Sequence, residues 1–493
     1  MNQLLSSRSR RWLFIALLSV LAVRLFTLDT YPFRDTTEAR YGEMARKMFE
    51  TQNWVTPQFD YGVPFWGKPP LATWLSAGSY QMFGVNELSA RIPSLVLALI
   101  ILVLVYSLGK FQRRADLGLV AATVLASSTL FFVAAGAVIM DTALVAGITL
   151  AMVSFWRAMN NGKRYWGYAF FVGISIGLLS KGPLTLLLVG IPITVWTFWQ
   201  SNIRTVLQRI PWFSGGLLML ALSLPWYILA ELRTPGFLDY FIVGEHWKRF
   251  IVSGWQGDLY GNAHAKTRGT IWLYSIVAFL PWSFILPSLI WRKRSVLKPA
   301  VLREQSWVVY LGLWAITPLL FFTFSGNILA TYTLPSLIPL ALLCAELYLL
   351  ADNKQSKPGL KSVAFLALIT PLLLLTLIKL QGSGYIPTKS QKELLTAYQE
   401  LQTDTNGQLI YLQKRPFSAQ FYSNGQALEV KNWQQAMTYL DNENRDFYAI
   451  KNSQLSFLGE NWSSKLRLVK HIHGYQLLQE IADDSLNNLK ADP

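Results

Sequence analysis

Residues 117–156 hold a single charged side chain, Asp141, and residues 166–199 hold a single one, Lys181. Backbone polar groups cannot be left unpaired in lipid, so an apolar run of roughly 20 residues must form a helix to cross a bilayer. Each of these runs is too long for one crossing. Asp141 and the break at Lys181-Gly182-Pro183 divide them into two spans apiece. The same rule applied along the chain predicts about eleven spans, near 12–28, 89–109, 116–133, 141–157, 165–180, 183–199, 210–230, 270–290, 306–324, 331–350 and 362–379. The expected fold class is a polytopic α-helical membrane protein.

Composition removes the competing classes. The chain is 52% hydrophobic and 15% charged, where soluble domains carry about 25% charged residues. Apolar excess excludes intrinsic disorder. The single cysteine, Cys344, excludes a disulfide scaffold. A net charge of +16 would suit nucleic acid, but the basic residues fall in short clusters between apolar runs, so no nucleic-acid partner is expected.

Those clusters set an orientation, because cytoplasmic loops are enriched in Lys and Arg. Arg8 to Arg11, Lys110 to Arg114, Arg157 to Arg164, Arg204 to Arg209, Arg292 to Arg294 and Lys354 to Lys361 all fall on the side of the N-terminus if there are eleven spans. The short loops 134–140 and 325–330, on the other side, carry no Lys or Arg. The N-terminus is therefore expected in the cytoplasm. Arg24 interrupts the first span and no small-residue cleavage site follows Leu28, which predicts an uncleaved anchor. Residues 1–379 form the membrane domain in this reading. The tail, 380–493, mixes charge with short alternating runs at 408–412 and 446–450 and helix-like stretches at 390–402 and 432–440. It predicts a small α/β domain on the outer face, joined through Gln381-Gly382-Ser383-Gly384.

Two outward loops, 29–88 and 231–269, are long enough to build a site. The first holds an amphipathic helix candidate, Thr36 to Glu50, of a kind that can lie in the membrane interface. At its start stand Asp35 and Glu38, which also fit a helix capping box. Farther on, Lys68 lies in Phe65-Trp66-Gly67-Lys68-Pro69-Pro70, where a lysine can simply snorkel. Asp141 and Lys181 have ordinary readings as a helix N-cap and a helix C-terminal cation. Charges at a membrane edge are nonetheless costly and point to function. The predicted topology puts Asp35, Glu38, Lys68, Asp141 and Lys181 at one membrane face. The second loop adds Glu245-His246-Trp247-Lys248-Arg249-Phe250, then His264, Lys266 and Arg268. Ser325-Gly326-Asn327 and Thr331-Tyr332 lie in a short outer turn.

Carboxylates beside cations at an outer face suit a sugar-bearing lipid phosphate. Lys and Arg hold the phosphate and offset leaving-group charge, and a carboxylate orients the sugar or acts as base on the acceptor hydroxyl. The chain has no P-loop, no Rossmann glycine motif and no His-Glu-x-x-His. A lipid or solute transporter is the alternative. Transporters usually carry inverted repeats and mid-depth sites, and no repeat is evident here.

At these residues the sequence resembles the lipid-carrier-dependent glycosyltransferases of the GT-C fold. This is the family 39 group that holds protein O-mannosyltransferases and lipid A aminoarabinose transferases. The resemblance covers roughly residues 10–350. It rests on Asp35-Thr36-Thr37-Glu38-Ala39-Arg40-Tyr41-Gly42-Glu43-Met44-Ala45-Arg46, Gly67-Lys68-Pro69-Pro70, Met140-Asp141, Ser180-Lys181-Gly182, Glu245 to Phe250 and Ala330-Thr331-Tyr332.

The resemblance implies inverting transfer of a pentose or hexose from a polyprenyl-phosphate donor to a lipid, glycan or protein acceptor at the outer face of the inner membrane. It implies that Asp35, Glu38 and Asp141 serve the catalytic centre. Arg40, Tyr41, Lys68, Lys181, His246, Arg249 and Tyr332 would contact substrate. The aminoarabinose transferases have adjacent Asp-Glu before Arg-Tyr; here Thr37 precedes Glu38 and the aspartate stands two places earlier, so the main carboxylate is Asp35 or Glu38. Gly67 replaces an acidic residue before the Lys-Pro pair, which weakens the case for a divalent metal but leaves it open.

Overall fold

A computed structural model describes residues 7–112, 115–261, 264–292, 294, 306–349, 360–402, 407–440, 444–457, 462, 465–472 and 474–481. A helix or helix pair lies at each of the eleven apolar stretches. Six helices are by themselves long and apolar enough to cross a membrane: Glu87–Gln112, Asp141–Asn161, Trp212–Arg233, Ser306–Thr323, Ala330–Leu349 and Lys361–Gly382. Thr270–Ala278 with Trp282–Arg292, bent by 111°, makes a seventh if the pair is one span. By length and composition, then, six or seven helices qualify among the described residues, against the eleven expected. The helix Ser7–Phe26 carries arginines at both ends, and the stretch 116–133 is two helices broken at Ser128. Of the basic clusters, Arg113, Arg114, Lys293 and residues 354–359 lie outside the described residues.

The chain divides into two compact units. One joins residues 1–30 to 47–376, and the other joins residues 31–46 to 377–493. In the first, one large apolar core runs from Leu13 through Phe155 and Trp314 to Ala367. Its helices Asp141–Asn161 and Arg164–Lys181 form an antiparallel hairpin. A Cβ on Gly147 would lie 2.7 Å from the Gly173 carbonyl oxygen, so these backbones touch only because neither residue has a side chain. That close pairing lays the first residue of one helix, Asp141, beside the last of the other, Lys181.

The second unit contains a five-stranded sheet in the order Leu428–Val430, Leu409–Leu412, Phe447–Lys451, Tyr475–Glu480, Leu466–Ile472. The first two pairings are parallel and the others antiparallel. Leu409, Tyr411, Phe447 and Ala449 pack with Leu394, Leu395 and Tyr398 of helix Lys392–Gln402. The alternate residues Ile410, Leu412, Tyr448 and Ile450 pack with Ala436 and Leu440 of helix Trp433–Leu440. A sheet covered on both faces needs apolar residues at both parities. The small α/β region expected in the tail is therefore present.

The candidate interfacial helix is Thr37–Thr51. Part of its charged side is buried: Glu43, Arg46 and Lys47 are buried along with Met44, Ala45 and Met48, while Glu50 is exposed. Arg46 pairs with Glu43 at 2.7 Å, and Lys47 with Asp60 at 3.1 Å. Ion pairing lets these charged residues be buried beside the apolar ones.

Candidate functional site

Within the first unit, Lys68, Lys181, His246, Arg249 and Tyr332 line one cavity of about 490 Å³. Its remaining wall is mostly apolar, including Leu184, Leu187, Ile242, Val243 and Phe321. Three cations and the Glu245 carboxylate thus face a cavity whose other walls are mostly apolar.

Glu245 organises the cations. Lys68 Nζ lies 2.9 Å from Glu245 Oε2, and Arg249 Nη1 lies 2.9 and 3.0 Å from the two carboxylate oxygens. Asp258 adds a second carboxylate 3.4 Å from Arg249. Burial alone would raise the Glu245 pKa, but Lys68 and Arg249 outweigh it and hold the group below its ordinary value. Burial likewise opposes the Arg249 charge, and Glu245, Tyr332 and Asp258 overcome it, so that its pKa is raised.

The local backbone explains this geometry. Asp239–Lys248 is a π-helix, which aligns residues five apart. Tyr240 thus reaches Glu245 at 3.4 Å, and His246 Nδ1 sits 2.7 Å from the Phe241 carbonyl. His246 Nε2 lies 2.9 Å from the Lys181 carbonyl, one of the end carbonyls that a helix leaves without an internal partner. The ring tethers the π-helix to the Lys181 helix, and burial lowers its pKa. Asn327 holds the following segment, donating to the Arg249 carbonyl at 2.6 Å and the Val252 carbonyl at 2.9 Å.

Lys181 Nζ is 2.5 Å from Asp141 Oδ1 and 4.7 Å from the centre of the Tyr332 ring. Met140, not Asp141, is the N-cap residue of its helix, so the carboxylate serves Lys181 rather than its own helix end. Tyr332 presents its ring to the ammonium and stacks on Phe322 at 4.4 Å. Gly182 follows with φ 74° and ψ −150°, a conformation essentially confined to glycine.

Asp35, Glu38, Arg40 and Tyr41 belong to the second unit. Asp35 Oδ1 accepts from the Ser418 amide at 3.0 Å, and Oδ2 accepts from the Ser418 hydroxyl. The Phe417 amide also bonds to it. These amides open helix Phe417–Tyr422, so Asp35 caps a helix far along the chain instead of the one that follows it. Burial raises the Asp35 pKa, partly opposed by those hydrogen bonds. Glu38 lies in the first turn of Thr37–Thr51, and Arg40 stacks over the Tyr41 ring at 4.9 Å.

Glu245, Asp258, Tyr240 and Ser418 were not among the candidate residues. Glu245 stood in a motif already singled out, yet nothing local shows that its partner is Lys68. Ser418 carries no sequence signal at all. Among the described residues, no group of three or more His, Cys, Asp and Glu side chains is placed to hold a metal. Glu245 is instead occupied by two side-chain cations, so this cluster does not fit a metal centre.

The family model for dolichyl-phosphate-mannose-protein mannosyltransferases matches residues 12–241. An undecaprenyl phosphate-α-4-amino-4-deoxy-L-arabinose arabinosyl transferase from Erwinia tasmaniensis is 28% identical over 389 residues, covering 75% of this chain and 66% of its own. A second such transferase, from Pseudomonas fluorescens, is 29% identical over 393 residues, covering 77% and 67%. The chain thus spans about two thirds of the length of these curated relatives. Among solved structures, ArnT from Cupriavidus metallidurans bound to undecaprenyl phosphate superposes with a TM-score of 0.79 at 18% identity, covering 96% of this chain and 98% of that one. The archaeal oligosaccharyltransferase AglB from Archaeoglobus fulgidus gives 0.52 at 12% identity, covering 91% and 70%. The motifs, the relatives and the shared fold agree: the chain is similar to lipid-carrier-dependent glycosyltransferases and has the GT-C fold of its structural neighbours.

Proposed function

We propose that this protein transfers a sugar from an undecaprenyl-phosphate-type carrier to an envelope acceptor (a lipid A-like lipid, a glycan or a protein) with inversion at the sugar carbon. The cavity that joins three cations to an apolar wall carries this reading. Lys68, Lys181 and Arg249 bind the donor phosphate and stabilise the charge that develops on it as the glycosidic bond breaks. Asp141 fixes the Lys181 ammonium, and Glu245 fixes Lys68 and Arg249. The isoprenoid chain lies along the apolar wall.

For the acceptor side the proposal draws on the family pattern. Asp35 or Glu38 takes the proton of the attacking hydroxyl. A carboxylate has about four lone-pair directions, and the Ser418 hydroxyl, the Ser418 amide and the Phe417 amide use three at Asp35. One direction is left for an acceptor, and its raised pKa suits a base. The N-terminus lies in the cytoplasm in this reading, residues 1–379 form the membrane domain, and residues 380–493 form a periplasmic domain.

Mass spectrometry of membrane lipids and envelope glycans tests the activity in wild type, a deletion strain, Lys181→Ala and Asp35→Asn. A polyprenyl-phosphate sugar should accumulate in all three altered strains while one glycoform disappears. Lipids and glycans identical to wild type throughout would refute transfer and direct attention to transport.

A further inference from the structure

Helices Ser7–Phe26, Glu87–Gln112 and Ala115–Ser127 of the first unit enclose a second groove, of about 460 Å³, that shares no lining residue with the cation cavity. Arg10, Phe14, Leu17 and Leu21 stand at i, i+4, i+7 and i+11 on the first helix. Leu99, Val103, Tyr106 and Lys110 repeat that spacing on the second, which places each set on one helix face. Phe14 is 53% exposed and Val103 64% exposed, so the apolar floor opens on the outside of the helix bundle.

One end of the groove is charged. Arg10 Nε donates to Asp116 Oδ1 at 2.7 Å and Nη2 to Oδ2 at 3.4 Å. Asp116 is 1% exposed while the Arg10 side chain remains 42% exposed. The buried carboxylate grips one edge of the guanidinium and leaves much of the group at the surface. Arg8 and Arg11 flank Arg10 in the same helix turn and Lys110 follows Tyr106 by one turn, all three exposed, so the helix segments beside this end carry four cations and, in Asp116, one carboxylate.

We propose that this groove is a binding site for an anionic phospholipid. The phosphate bridges Arg10 and Lys110, and one acyl chain lies between Phe14, Leu17, Val103 and Tyr106. A neutral lipid would leave the surplus positive charge uncompensated, and a soluble anion would leave the apolar floor bare. The roughly 300–1,000 Å³ typical of ligand pockets brackets the groove.

Native mass spectrometry of the purified full-length protein with equimolar phosphatidylglycerol and phosphatidylcholine tests it. Wild type and the surface control Lys451→Gln should retain phosphatidylglycerol preferentially. Arg10→Gln with Lys110→Gln should lose roughly tenfold or more of that retention, since each basic residue near a lipid headgroup contributes measurably. Val103→Trp, which fills the groove without touching a charge, should lower retention as well and guards against a charge variant that fails to fold. Equal retention of the two lipids by wild type would overturn the proposal. So would undiminished phosphatidylglycerol retention in Val103→Trp, or its full displacement by equimolar undecaprenyl phosphate, which would assign the groove to the carrier.

Discussion

The Lys181 ammonium lies 2.5 Å from the Asp141 carboxylate although forty positions separate them in the chain. An antiparallel hairpin joins the two residues, and the ring of Tyr332 closes the third side. A lysine held this way is a fixed point charge. Asp141→Asn removes the anion that fixes it and leaves the side chain to search for other partners. Loss of a charge-assisted bond costs about 1.5–3 kcal/mol, so the donor KM should rise about ten- to a hundredfold at unchanged protein level. Initial rates in proteoliposomes against donor concentration measure this. An unaltered KM would remove the pair from donor binding.

Glu245 makes a different prediction, because it neutralises two cations at once. Lys68, Glu245 and Arg249 are all at least four-fifths buried at the side chain. Glu245→Gln leaves two cations facing each other, which costs about 3 kcal/mol where a buried pair is broken. A bound phosphate restores the missing negative charge. The variant should therefore melt lower than wild type when ligand-free and gain more in Tm on adding undecaprenyl phosphate. Equal gains would show that the phosphate does not meet Lys68 and Arg249.

Much of this was legible in the sequence where the signal is local. The helices follow from apolar runs, and Asp141 and Lys181 stand out because a charge in such a run is costly. The tail strands at 409–412 and 447–451 fall on the two runs read as alternating, although both are buried at successive positions because the sheet is covered on both faces. What stayed hidden is pairing across long separations. Lys68 and Glu245 are 177 positions apart, and Asp35 and Ser418 are 383 apart. Asp35 reads as a cap for the adjacent helix, and it is indeed a cap, for another helix. The same physics operates, but only the fold says which amides it serves. The buried charge on Thr37–Thr51 was missed for a related reason, since an amphipathic pattern does not reveal that its polar face will be paired.

Gly182 ties backbone to site. Its φ of 74° with ψ −150° excludes other residues at a cost of about 1–3 kcal/mol. A Cβ there would also lie 2.6 Å from the Phe241 ring. Phe241 packs edge-on against His246 at 4.5 Å, so the push passes to the π-helix that carries Glu245. Gly182→Ala should lower Tm and raise the donor KM, whereas Gly190→Ala, in open space on the next helix, should do neither. Matching behaviour of the two variants, measured by thermal unfolding and steady-state kinetics, would refute the link.

The Ser418 hydroxyl separates the two candidate bases. Burial holds the Asp35 pKa above its ordinary value, and the hydroxyl opposes that rise by bonding to the ionised form. If Asp35 takes the acceptor proton, it must be ionised to act, and kcat/KM falls as pH drops through its pKa. Ser418→Ala removes one donor to the carboxylate, so the pKa rises further and the acid limb of the pH profile moves to higher pH. Ser418→Thr keeps a hydroxyl and should restore the wild-type limb. A profile that stays in place in Ser418→Ala, with Glu38→Gln inactive, would transfer the role of base from Asp35 to Glu38 and leave Asp35 as the cap of helix Phe417–Tyr422.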